Sequence, residues 1–163
     1  EVAPRVESIL EGLGLLEHKD RSPYVLSHGQ KRRLSVAAMV VAEPDVVILD
    51  EPTFGQDYHQ AQRLMRLLRQ MADQGAAVVF ITHDMRLVAE YADRCAVLSD
   101  GKIVFEGTPL QLFDASEILA RAKLKAPPIH SFSRKLIGRV LLDSRELSQR
   151  LKEIHHAQTR TGV

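Results

Sequence analysis

Apolar positions recur along the chain with two alternating periods. Val6, Ile9, Leu10 and Leu13 have helical spacing, and Gly14 follows as a stop, so a short amphipathic helix is expected first. After a polar loop with Pro23, Ser27-His28-Gly29-Gln30 has the S-x-x-Q form of a capping box. It opens a helix with an apolar face of Leu34, Ala37, Ala38 and Val41, ended by Pro44. Val46-Val47-Ile48-Leu49 is a β-branched run without polar alternation, which predicts a parallel strand buried on both faces. Asp57 and Gln60 offer a second cap, for a helix through Leu64, Leu67, Leu68 and Met71 that stops at Gly75. Ala77 to Ile81 is the next strand, and Leu87, Val88, Tyr91 and Ala92 describe a helix after it.

Strand, helix, strand, helix with short connections predicts a parallel α/β sheet, in which ligands bind beyond the strand C-termini. Two further apolar runs, Ala96 to Ser99 and Lys102 to Phe105, flank Asp100-Gly101, a pair that suits a type I′ hairpin. Thr108-Pro109-Leu110-Gln111 combines a cap, proline at the first helical position and a capping-box glutamine. Pro127-Pro128 marks a break. Beyond it Leu136, Ile137, Val140, Leu141, Leu147 and Leu151 support one or two helices, with Gln158 to Val163 expected to fray.

With 163 residues, 45% of them hydrophobic, and a net charge of +1, the chain has material for about one domain's core. No run approaches the roughly 18 apolar residues of a membrane span, and the first residues lack the pattern of a secretion signal, so a cytoplasmic protein is expected. Cys95 is the sole cysteine, which excludes an intrachain disulfide; its apolar neighbours predict a buried, structural thiol. The near-neutral total conceals a basic tail that includes Arg121, Lys123, Lys125, Arg134, Lys135, Arg150 and Lys152. Such a tail suits either a solvated face or an acidic partner such as anionic lipid.

Four short motifs fall on strand and helix boundaries. Leu26 to Gln30 lies at a helix N-terminus, where free N–H groups, the Ser27 hydroxyl and Gly29 suit phosphate; it is equally the form of an ordinary capped helix. Asp50-Glu51 places two carboxylates at a strand end, suited to a hydrated Mg²⁺ and an oriented water, or simply to solvent. In Phe54-Gly55-Gln56-Asp57 the aspartate caps the following helix or serves a site. His83, after the second strand, is either structural or a donor to a phosphate oxygen.

Together these motifs resemble the ABC ATPases: Leu26 to Gln30 their LSGGQ signature, Val46 to Glu51 their Walker B strand and glutamate, Phe54 to Asp57 their D-loop, and His83 their switch histidine. The resemblance runs from about Val25 to Phe113. Lys31-Arg32-Arg33 and the form of the D-loop look most like the ATPases of energy-coupling-factor vitamin and metal importers. It implies a partial P-loop NTPase core of α/β class, with parallel strands, a C-terminal β-hairpin and flanking helices. Residues 1–44 would be part of the helical signature subdomain, 45–114 the C-terminal part of the core, and 115–163 a helical extension. ATP and Mg²⁺ are the implied cofactors. By the same resemblance Asp50 serves Mg²⁺, Glu51 orients or activates water, and His83 contacts the γ-phosphate. Asp57 couples two sites, while Ser27, His28, Gly29 and Gln30 complete the opposite subunit's site. The implied partners are a second ATPase subunit, identical or not, and integral membrane subunits at the cytoplasmic face; no nucleic acid is expected.

Two departures matter. No G-x-x-x-x-G-K-[ST] occurs, so the phosphate-wrapping loop and its strand are missing, and the chain is expected to be inactive alone. In the family that strand lies between the histidine-loop strand and the strand near Cys95, so exposed strand edges or rearranged packing are expected. His28 replaces the usual glycine at the third signature position. The competing readings are a non-transport ABC ATPase and a non-catalytic fragment lending its signature helix or tail to an assembly.

Overall fold

The computed structural model describes residues 2–137, 140–142 and 144–161, and its backbone divides into two compact units, Glu1–Thr82 and His83–Val163. The first begins with α1 (Val2–Gly12), whose Ile9 and Leu10 are buried together with Leu13 just beyond it. Gly14, at φ +64°, ends this helix, and the Leu15 N–H returns to the Leu10 carbonyl at 2.7 Å. A 3₁₀ turn at Pro23–Val25 leads into α2 (His28–Val40). β1 (Val46–Asp50), α3 (Tyr58–Asp73) and β2 (Ala77–Ile81) follow, with β1 and β2 parallel and Val46 paired with Ala77 through Asp50 with Ile81. α3 buries Leu64, Met65, Leu68 and Met71 on one stripe, and Gly75, at φ +106°, follows it as the sequence predicts.

Two expectations for this unit need correction. α2 buries Arg33, Val36, Ala37 and Val40, so its inward face lies one residue earlier than the Leu34, Ala37, Ala38, Val41 face; Leu34 is half-buried and Ala38 exposed. A charged residue at an inward position disguised the stripe. β1 is not buried on both faces: Val47 and Leu49 are inside, whereas Val46 and Ile48 are 57% and 65% exposed. Val79 and Ile81 of β2 continue that open face, because among the described residues the helical cover lies on the other side.

The second unit starts at α4 (Met85–Tyr91), capped by Asp84, and continues into the antiparallel pair β3 (Cys95–Ser99) and β4 (Lys102–Gly107). Asp100 and Gly101, at φ +52° and +72°, make the expected two-residue turn, and a bulge interrupts the register between Val97 and Leu98. α5 (Pro109–Asp114) has the full capping box between Thr108 and Gln111. α6 (Ser116–Arg121), α7 (Pro128–Ile137) and α8 (Ser144–Thr161) complete the unit; α8 thus extends into the stretch expected to fray, and Gly162 and Val163 lie outside the described residues. The core here is Met85, Val88, Val97, Leu112, Phe113 and Leu119. Cys95 packs against it but is only half-buried, and partial burial pushes its thiol pKa up, away from reactivity. Among the described residues the hairpin forms its own two-stranded sheet and does not join β1 and β2.

Candidate functional site

The end of β1 is tied to three other segments of the first unit. The strand closes with Asp50, whose side chain is exposed, and Glu51 then turns the chain at φ +43°. A non-glycine residue in the left-handed region costs on the order of 1–3 kcal/mol unless its surroundings hold it, and such residues concentrate at functional sites. Here the holding groups are identifiable. The Glu51 N–H donates to the Ile81 carbonyl at 2.9 Å, and its own carbonyl accepts from the Phe54 N–H at 3.1 Å. The Thr82 hydroxyl donates to Glu51 Oε2 at 3.3 Å, half-buried between the two strand ends. Arg32, reaching from α2, donates Nη2 to the carbonyls of both Asp50 and Glu51, the latter at 3.0 Å. A charge-assisted bond of this kind contributes about 1.5–3 kcal/mol, comparable with the conformational cost it opposes.

The signature residues form a complete capping box. Ser27 Oγ accepts from the Gln30 N–H at 3.3 Å, and Gln30 Oε1 accepts from the Ser27 N–H at 2.8 Å. Gln30 Nε2 meets His18 Nε2 at 2.8 Å. Gln30 is therefore engaged within its own chain. What the helix end still offers are the N–H groups of His28 and Gly29, which have no protein acceptor among the described residues, and the Ser27 hydroxyl hydrogen. The His28 side chain is exposed beside them. Two free amides at the N-terminus of a thirteen-residue helix suit an anion.

The turn Pro52–Asp57 lies against this helix end. A Cβ on Gly29 would sit 3.4 Å from the Gly55 carbonyl oxygen and 3.8 Å from both Gln56 Cγ and Arg33 Nη1, ordinary contact distances that put this helix end directly against the turn. Gln56 Nε2 donates to the Pro52 carbonyl at 2.9 Å, and Asp57 caps α3 by accepting from the Gln60 N–H at 2.9 Å. Arg33 is 6% exposed, with its Nε buried and unpartnered; burial lowers its pKa, a trend Asp57 opposes. Lys31-Arg32-Arg33 is therefore not a plain surface run.

His83 is exposed, directly follows Thr82 and opens the second unit, while Ser27, Gly29, Asp50, Glu51 and Asp57 all belong to the first. Among the described residues no three His, Cys, Asp or Glu side chains converge to hold a metal. A single exposed carboxylate such as Asp50 is compatible with Mg²⁺, which is commonly bound through one or two carboxylates plus water and phosphate oxygens and not by an all-protein cage. A cavity of about 600 Å³ lies elsewhere, lined by Arg5, Val40, Asp45 and Ala76 at the opposite end of the strands from Glu51. Sequence reasoning did not single out Thr82, the buried Arg33 or the reach of Arg32; inward-pointing charge on a helix leaves no periodic trace.

Comparison with known proteins agrees with the motifs. The sequence model of the ABC transporter family matches residues 1–54. A putative HMP/thiamine import ATP-binding protein of Bacillus subtilis is 41% identical over 133 residues, 81% of this chain and 24% of that protein. The energy-coupling factor transporter ATP-binding protein of Methanocaldococcus jannaschii is 39% identical over 129 residues, covering 79% of this chain and 46% of its own length. A Clostridium perfringens component of the cbiONQ ABC transporter complex superposes with TM-score 0.59 at 34% identity, over 74% of this chain and 49% of that one. An ATP-binding cassette at 23% identity supports the fold alone, with TM-score 0.62. This chain spans less than half the length of each of these relatives. No described helix is long and apolar enough to cross a membrane. The family match over residues 1–54 and relatives 34–41% identical over most of this chain, beside the capped helix and the carboxylates at the end of β1, place the chain in the ABC transporter ATP-binding family.

Proposed function

We propose that this chain is the signature- and carboxylate-bearing part of an ATPase that powers an energy-coupling-factor importer from the cytoplasmic face of the membrane. One observation carries the reading: Glu51 is held at the end of β1 in a left-handed conformation, its carboxylate bonded to Thr82, next to an outward-pointing Asp50. Strain maintained around one carboxylate is what a water-orienting group needs and a solvated acidic surface does not. Asp50 would hold Mg²⁺ through water, Glu51 would orient the attacking water, and His83 would contact the γ-phosphate. Bound Mg²⁺ would neutralise charge on the transferring phosphoryl group. The free amides of His28 and Gly29, with Ser27, would read the nucleotide of a second subunit, and Asp57 would link the two sites. Gln30 would act there chiefly by fixing the helix end. Membrane subunits would choose the solute.

The alternative reading is a non-catalytic member of such an assembly, which lends its signature helix to a partner's site without turnover of its own. Both are tested by measuring ATP binding and Mg²⁺-dependent hydrolysis by this chain beside the full-length protein that carries it. Hydrolysis by the full-length protein alone supports the ATPase reading and assigns the phosphate-binding loop to the remainder. Hydrolysis by neither favours the non-catalytic one. Turnover by this chain unaided contradicts the division of the site between segments.

A further inference from the structure

Resting on that reading, we infer that Arg32 is a positioning residue for hydrolysis: it fixes the Glu51 backbone from the same helix whose N-terminus reads the other nucleotide. The contact is to backbone. Nη2 donates to the carbonyls of Asp50 and Glu51, the two residues across which β1 ends and the chain turns to φ +43°. On the β2 side Glu51 donates its N–H to the Ile81 carbonyl at 2.9 Å. Arg32 therefore supplies the second side of a clamp whose first side is the sheet. Its partners are fixed atoms, so the clamp does not depend on a flexible carboxylate rotamer.

The placement has a mechanical consequence. Arg32 lies four residues after His28, so one helical turn separates an anion at the free amides of His28 and Gly29 from the guanidinium holding Glu51. A helix is stiff over one turn. Displacement of its N-terminus by a nucleotide would be delivered to the turn that aims Glu51, so that occupancy of one site adjusts the carboxylate of the other. The same helix end also approaches the Gly55 carbonyl oxygen, in the turn that follows Glu51.

The test uses the full-length protein carrying Arg32→Ala, Arg32→Lys, Glu51→Gln or Lys31→Ala. Lys31 is an exposed neighbour on the same helix and controls for loss of positive charge. Expected for Arg32→Ala is a fall in kcat of roughly ten- to a hundredfold, the scale of a small misplacement of a reacting group. KM for ATP and ATP-driven dimerisation should change by no more than about twofold, and Arg32→Lys should lie between it and the parent. Lys31→Ala should keep kcat. Amide hydrogen exchange supplies a readout independent of turnover: Arg32→Ala should speed exchange at Glu51 and Phe54 and leave α3 unchanged. Unaltered kcat and exchange in Arg32→Ala, an equal loss in Lys31→Ala, or parallel loss of dimerisation would overturn the role. Absence of hydrolysis in the parent protein would instead remove the ATPase reading, and this inference with it, while normal turnover with a silent Arg32→Ala removes only the inference.

Discussion

Glu51 combines two properties that separate substitutions resolve. Its side chain is the proposed water-orienting group, and its backbone sits at φ +43°, where a Cβ is costly. Glu51→Gln keeps the Cβ, the shape and the binding surface but removes the charge, so hydrolysis by the full-length protein should nearly vanish while ATP-driven dimerisation persists; wild-type turnover in that variant would contradict the assignment. Glu51→Gly also removes the carboxylate but relieves the backbone. It should be equally inactive yet more stable than Glu51→Gln by a few tenths to about 1 kcal/mol in urea unfolding, since glycine's greater unfolded-state freedom offsets part of the relief. If the two variants unfold at the same denaturant concentration, little strain is stored at this turn.

At the scale of elements, α3 is the most deeply seated helix of the first unit, and Leu64 on it is fully buried. Leu64→Ala should destabilise by about 2–5 kcal/mol, measured by denaturant titration, and a loss below 1 kcal/mol would mean the helix can close over the gap. In the second unit α7 is joined to α5 through Asp114, which bonds His130 Nε2 at 3.1 Å and the Arg134 guanidinium. The Arg134 bond chiefly holds the Asp114 carboxyl below the ordinary carboxylate range, with His130 adding to it. A depressed folded-state pKa contributes stability that is present at neutral pH and is lost as pH falls through that depressed value. Asp114→Asn should therefore lower the melting temperature at pH 7 and converge with the parent in acid; a gap that is constant with pH would exclude the ionic contribution. Most elements were legible because their signals are local: the capping boxes at Ser27 and Thr108, the Asp100-Gly101 turn and the Gly75 stop depend on neighbours in sequence. The inward face of α2 was not, because Arg33 takes an inward position there, where the Asp57 charge opposes the lowering of its pKa by burial.

For the molecule as a whole, sequence reads poorly where burial depends on what else is present. The run Val46 to Leu49 has the composition of a strand covered on both sides, and composition cannot say which cover is in place. The candidate site divides similarly: residue types at Ser27, Asp50, Glu51 and Asp57 were legible from motif order, whereas the Arg32 clamp, the Thr82 bond and the Gln30 contact with His18 arise only when separate segments meet. The open face of β1 and β2 then makes a prediction about this chain in solution. Val46, Ile48, Val79 and Ile81 are 57%, 65%, 49% and 56% exposed and project to one side of a parallel pair, a contiguous β-branched surface of the kind that drives association. The 163-residue chain should self-associate at micromolar concentration and bind an apolar dye. Replacing Ile48 and Val79 together by threonine keeps β-branching while adding hydroxyls, so the strands should persist and the sedimenting species should shift toward monomer. A parent chain that sediments as a monomer, with no dye binding, would show that this face tolerates water as it stands.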